Sequence, residues 1–187
     1  SLEAHELTDA DLDTVFDTGS MFGVDEIPLK EIIDRLQKTY CGSIGSEFMY
    51  IADTDQKRWI QSKLEPNLAR PNFKKGRRMR ILDRVITAEN LEKYLHTRYV
   101  GQKRFSLEGG ESLIPLLDRI IQEAGREDTR EIVIGMAHRG RLNVLTNILG
   151  KAPAELFDEF EGKKTPEAYR SSGDVKYHLG FTSMQKC

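Results

Sequence analysis

Apolar residues recur at helical spacing over much of the chain, and their pattern changes character near residue 105. Leu29, Ile32, Ile33, Leu36 and Tyr40 repeat every three to four positions, which predicts a helix from about Pro28. Proline suits a first helical turn, where its missing N–H has no partner to lose. The run Cys41-Gly42-Ser43-Ile44-Gly45 ends it. Residues 47–51 are short, aromatic and apolar, and read as extended. Asp53 and Thr54 are N-cap types ahead of a helix carrying Trp59, Ile60 and Leu64. Residues 66–72 read as a linker. A further helix is predicted from about Lys75 to Ile86, with Thr87 capping a separate one that presents Leu91, Tyr94 and Leu95. Residues 1–27 read as an extended arm broken at Gly19 and Gly23, in which Leu12, Val15 and Phe16 dock a short helical turn.

Beyond Phe105, Gly109-Gly110 opens a helix with a broad apolar face: Leu113, Ile114, Leu116, Leu117, Ile120 and Ile121. Pro115 is acceptable only near its start, and Gly125 ends it. Residues 131–137 form a continuous apolar run with β-branched members, which predicts a buried parallel strand. A polar loop, His138-Arg139-Gly140-Arg141, precedes a helix with Leu142, Leu145, Ile148 and Leu149. Helix, strand, loop and helix in that order are the grammar of an open α/β sheet. The expected organisation is an acidic arm (1–27), a helical region (28–102) and the start of an α/β domain (103–187).

Charge divides the chain. Residues 1–34 hold ten acids and one base, net −9; with −2 overall, residues 35–187 carry +7. A basic body favours an anionic ligand, and equally fits an ordinary surface cut from a larger, balanced protein. Within it Lys74, Lys75, Arg77, Arg78, Arg80 and Arg84 cluster. Without interleaved aromatics they read as a solvated helix rather than a nucleic-acid patch. A hydrophobic share of 39% allows a real core, and no apolar run approaches membrane-spanning length. The acidic opening residues do not read as a secretory or transit signal. Cys41 and Cys187 show no metal-ligand spacing.

Ligands in open α/β sheets bind beyond the carboxyl ends of strands, and His138-Arg139-Gly140-Arg141 sits at such an end. Glycine lets the backbone turn tightly or approach a ligand. Arginine's fork matches carboxylate and phosphate, and imidazole donates or moves a proton near neutral pH. From spacing alone a basic surface turn is about as good a reading. His178, in Val175-Lys176-Tyr177-His178-Leu179, fits an exposed histidine on a short edge strand. His96 fits a solvent-facing helix residue.

Four blocks in order carry a more specific signal. They are YCGSIGSEFMYI (residues 40–51), KRFSLEGGE with LIP (103–115), GMAHRGRLNVL (135–145) and SGDVKYHLG (172–180). Together they resemble the E1 components of 2-oxoglutarate dehydrogenase complexes, most closely the bacterial forms. The resemblance implies a thiamine-diphosphate- and Mg²⁺-dependent enzyme of the tricarboxylic acid cycle. It would decarboxylate 2-oxoglutarate and pass the succinyl group to the lipoyl group of E2. The implied fold is α/β, a helical N-terminal region followed by the first part of a thiamine-diphosphate-binding open domain. His138 and His178 would be the active-site histidines, hydrogen-bonding substrate carboxylates and the developing oxyanion. Arg141 and Phe105 would lie at the cofactor. The resemblance implies an E1 homodimer, dihydrolipoyl succinyltransferase (E2) and dihydrolipoyl dehydrogenase (E3) as partners, and a bacterial cytoplasmic location. Nucleic acid and membrane are not expected partners. Asp174 reads as part of its block and not as a metal ligand, so the magnesium ligands are expected outside this chain. The chain is expected to be a fragment, inactive by itself. A 2-oxoadipate-type relative and a non-catalytic interaction module are the alternatives.

Overall fold

The computed structural model describes residues 2–163 and 180–184. It divides into two compact units, Ser1–Phe73 and Lys74–Cys187. The block around His178, including Asp174, and Cys187 lie outside the described residues.

The first unit opens with a device that the polar arm concealed. β1 (Val15–Asp17) and β2 (Glu26–Pro28) pair antiparallel, with Phe16 opposite Ile27. The chain returns between them because Gly19 adopts φ +64°, and the Thr18 hydroxyl donates to Val24 O at 2.7 Å. Residues 1–27 are therefore not simply an extended arm. Three-residue strands carry too little alternation to announce themselves. α1 (Leu29–Tyr40) follows directly, with Pro28 at its N-cap. α2 (Thr54–Leu64) starts where the Asp53 carboxylate accepts the Gln56 N–H at 2.9 Å. This satisfies one of the orphan donors of the first turn. Residues 47–51 do not form a strand: the Ile51 N–H closes a turn onto Phe48 O, and the Phe48 side chain is buried. Glu65 is buried too, and its carboxylate accepts from the Phe22 N–H and the Tyr40 hydroxyl, each at 2.7 Å.

The second unit is built on α3 (Lys75–Arg98), one helix of 24 residues where the sequence suggested two. Thr87 does not cap. Its hydroxyl donates backward to Asp83 O at 2.7 Å, a bond that lets threonine sit inside a helix. α4 (Leu113–Arg126) places Pro115 third, where no intrahelical N–H is lost. α5 (Arg141–Asn147) and α6 (Pro153–Phe160) complete the helices. Two apolar clusters hold them. Leu91, Leu95 and Tyr99 of the α3 end pack with Leu142, Leu156 and Phe160. Ala88 and Leu107 pack with Ile114, Val144 and Ile148, joined by Ile134 and Met136. On the α3–α4 side, Arg80 clamps Asp118 through two bonds of 2.7 and 2.9 Å, and Arg84 stands at 3.3 Å from the same carboxylate. Two cations of the basic cluster are thus answered by an acid.

The expected buried parallel strand at residues 131–137 is not formed. The segment carries no ladder bonds, and Val133 is 95% exposed. A parallel strand exists only beside a neighbour that accepts its N–H groups, and among the described residues of this unit there is no strand. Only Ile134 and Met136 reach the core. Overall the described chain is mixed helical with one two-stranded sheet. No helix of the described residues is long and apolar enough to cross a membrane.

Candidate functional site

Two loops of the second unit meet at the head of α5. One joins α3 to α4 and contains Phe105 to Gly110; the other is His138-Arg139-Gly140-Arg141. They are sewn together by backbone bonds. The Gly140 N–H donates to Phe105 O at 2.8 Å, and the Arg141 N–H closes a turn onto His138 O at 3.2 Å. Gly140 is required here for two separate reasons. Its φ is +74°, and a Cβ on it would lie 2.6 Å from Leu107 Cδ1. Of the two uses a glycine might serve, this one provides a tight turn and close packing against the neighbouring loop.

The meeting of these loops brings the Phe105 and His138 rings into tilted contact. Their ring centroids are 4.2 Å apart at an interplanar angle of 48°. The imidazole is exposed and the phenyl ring half-buried. Phe105 holds φ +45°, in the left-handed region, which costs a non-glycine residue about 1–3 kcal/mol. The surrounding bonds must therefore impose this backbone. Two guanidiniums flank the pair. Arg139 donates to Ser106 O at 3.0 Å, and Arg141 to Met136 O at 3.3 Å. Both of these tethers run to backbone carbonyls and orient the guanidiniums.

Of the four residues singled out by sequence, Phe105, His138 and Arg141 are carried by these two loops. His178 lies outside the described residues. Arg139 belongs to the same constellation, and its place in the motif was the available signal. His96 is exposed on α3, with Nδ1 3.0 Å from an Arg104 nitrogen. Among the described residues no group of three His, Cys, Asp or Glu could hold a metal ion. An open depression of about 450 Å³ lies elsewhere, lined by Leu2, Glu3, Leu7, Thr8 and Asp9, and none of the candidate residues lines it. What the meeting point offers chemically is an aromatic face, an imidazole in reach of solvent and two oriented guanidiniums: a set for an anionic, partly aromatic ligand.

No family model matches the chain. Individual proteins match it closely. It is 56% identical over 177 residues to the 2-oxoglutarate dehydrogenase E1 component of Cupriavidus necator, covering 94% of this chain and 18% of that protein. The same component of Azotobacter vinelandii is 54% identical over 184 residues, 98% of this chain and 19% of its own length. The 2-oxoglutarate dehydrogenase E1/E2 component of Corynebacterium glutamicum is 47% identical over 179 residues, 96% of this chain and 14% of its own length. Along nearly its whole length, then, the chain matches bacterial 2-oxoglutarate dehydrogenase E1 components, and it spans less than a fifth of the length of these relatives.

Proposed function

We propose that this chain supplies part of the substrate end of a 2-oxoglutarate dehydrogenase E1 active site. The observation that carries the reading is the Phe105–His138 pair flanked by Arg139 and Arg141, in a chain 56% identical over 177 residues to the Cupriavidus necator protein. In this reading His138 donates a hydrogen bond to the substrate and to the oxyanion that develops at its keto oxygen. 2-Oxoglutarate has a carboxylate at each end, so oriented guanidinium and imidazole donors suit it. His178 is proposed as a second histidine of the same site. Phe105 offers an apolar wall that excludes water beside the reacting carbon, and Arg141 lies at the cofactor.

The cofactor in this reading is thiamine diphosphate with Mg²⁺; when bound, it supplies the nucleophilic carbon and the electron sink for decarboxylation. The described residues fit its organic part, with an aromatic face and cationic donors. For the metal, no group of three His, Cys, Asp or Glu stands among the described residues. The magnesium ligands are assigned to sequence beyond this chain. E1 homodimerisation, succinyl transfer to the E2 lipoyl group, a complex with E2 and E3, and a bacterial cytoplasmic setting belong to the same proposal. So does the thiamine-diphosphate-binding α/β domain, of which residues 103–187 would be the start. The strand-like run at 131–137 would gain its neighbours there. The chain alone is expected to be inactive.

A graft tests this. The matching segment of the Azotobacter vinelandii protein is replaced by the 184 aligned residues of this chain, and 2-oxoglutarate-dependent reduction of an artificial electron acceptor is measured with thiamine diphosphate and Mg²⁺. The expected result is an active chimera that His138→Ala silences. A chimera that folds and binds the cofactor yet fails to turn over 2-oxoglutarate overturns the reading.

A further inference from the structure

Phe105 and His138 both stand on loops, and loops do not hold a ring pair at 4.2 Å by themselves. Bonds from both sides of the junction converge on a carboxylate that the proposed chemistry does not use. Glu92 sits on the buried face of α3, only 3% exposed. Its Oε1 accepts the Leu107 N–H at 3.1 Å and the Asn143 Nδ2–H at 3.0 Å. Its Oε2 accepts from Arg104 at 3.1 Å. Arg104 and Leu107 bracket Phe105 and Ser106, so one side chain fixes both ends of the segment that carries the strained Phe105 backbone. Asn143 lies on α5, two residues past Arg141, and donates also to Ala88 O at 3.0 Å. The same carboxylate therefore ties α5, and with it the His138 loop, to α3. Arg104 is held in turn by Glu108 at 3.1 Å and by its contact with His96. A buried charge is tolerable only when each lone pair is answered, and a fully satisfied network specifies one geometry.

We infer that Glu92 is a positioning residue of the site, holding Phe105 against His138 by clamping the Arg104–Leu107 and α5 sides of the junction at once. The inference rests on the assignment of His138 and Phe105 to that site. The Oε1 bonds are the essential ones, because they reach the Phe105 loop and α5 separately. Glutamine keeps an Oε1 acceptor of the same reach for the Leu107 and Asn143 donors and gives up only the Oε2 bond from Arg104, which retains Glu92 O and Glu108 as acceptors. Aspartate keeps the charge but is one methylene too short to reach Leu107 and Asn143 together.

The test reads the His138 ring protons by NMR in the 187-residue chain, without ligand. A phenyl ring at this distance displaces those resonances by its ring current, and Phe105→Leu defines the undisplaced position. Glu92→Asp and Glu92→Ala are expected to lose more than half of the displacement while far-UV circular dichroism retains its helical signal. Glu92→Gln is expected to keep most of it. If Glu92→Ala does not fold, the aspartate and glutamine variants decide the matter. Folded aspartate and glutamine variants with equal His138 shifts, whether both displaced or both lost, overturn the inference. Because no substrate is present, this outcome is separate from that of the chimera: an inactive chimera with displaced His138 resonances rejects the proposed chemistry and leaves the clamp standing.

Discussion

Replacing Gly140 by alanine probes the junction of the two loops more sharply than replacing any of the charged residues. Two penalties are expected, and they have different origins. The first is conformational. At φ +74° an L-residue brings its Cβ against its own backbone, which costs about 1–2 kcal/mol. The second is steric. The new Cβ would stand 2.6 Å from Leu107 Cδ1, with Leu107 Cβ and Cγ at 3.5 Å. Leu107 is itself packed among Ala88, Ile114, Val144 and Ile148, so it has no empty side to retreat to. Overpacking of this kind costs about 1–3 kcal/mol. Together the loss is about 2–5 kcal/mol, a large part of an ordinary domain's stability of about 5–15 kcal/mol. Urea unfolding followed by circular dichroism measures it. The two penalties separate in a cycle with Leu107→Ala, which removes the obstructing methyl but leaves φ unchanged. The double variant is expected to recover about 1–3 kcal/mol relative to additivity. A single-variant loss under about 1 kcal/mol, or a cycle with no coupling, would refute the assignment of Gly140 to a left-handed turn packed on Leu107.

The remaining expectations concern particular polar contacts. Asp53→Ala removes the N-cap of α2 and should destabilise the first unit by about 1 kcal/mol, read from its urea midpoint. Asp118 is held below the usual carboxylate range, chiefly by its bond from Arg80 and against the opposing effect of burial, with Arg84 adding attraction. Its contribution is complete above the ordinary aspartate value and is lost as pH falls through the depressed folded value. Asp118→Asn should therefore flatten the acid limb of the stability–pH curve and leave the alkaline limb unchanged. Tyr40 is pushed well above the ordinary tyrosine range by burial first and by its bond to Glu65 second. Its contribution is complete below the ordinary value and is lost as pH rises from there towards the folded value. In an alkaline titration followed by phenolate absorbance, Tyr40 should ionise late, as should Tyr99, which burial and Glu161 also push up, and Tyr40→Phe should remove one tyrosine's share of the late step.

Helices were the legible part of this sequence because a helix satisfies its own backbone. α1, α2 and α4 each carry a local signature, in the form of an apolar stripe, a capping carboxylate or a proline at the start. The one boundary misread inside a helix, at Thr87, turned on a hydroxyl whose bond runs backward instead of forward. α6 is short, and its eight residues open on Pro153 after Ala152, a pair that reads as readily as a loop. The candidate loop was legible in residue type but not in its support. Phe105 and His138 are thirty-three positions apart, and nothing in their spacing implies that their rings touch. A trace of the clamp was present even so. Glu92 adjoins Leu91 on the face of α3 that also carries Ala88 and Leu95, and an acid on an apolar face is rarely there without partners.

The segment at residues 131–137 carries the opposite lesson about strands. Its composition is that of a buried parallel strand, but composition cannot supply the neighbour whose carbonyls such a strand needs. A helix of this sequence would close its own hydrogen bonds; an extended run cannot. Val133 points its apolar side chain at solvent while Ile134 and Met136, on the other side of the alternating chain, already reach the core. The run is thus half-placed: one face is seated and the other lacks a cover. The seated face is sufficient to deliver the chain to His138 at the head of α5, because Met136 O takes the Arg141 tether and Gly140 locks onto Phe105 O. The geometry of the candidate site therefore depends on the Glu92 network and the glycine turn more than on the sheet, so a change that disturbs either should move His138 even where every helix survives.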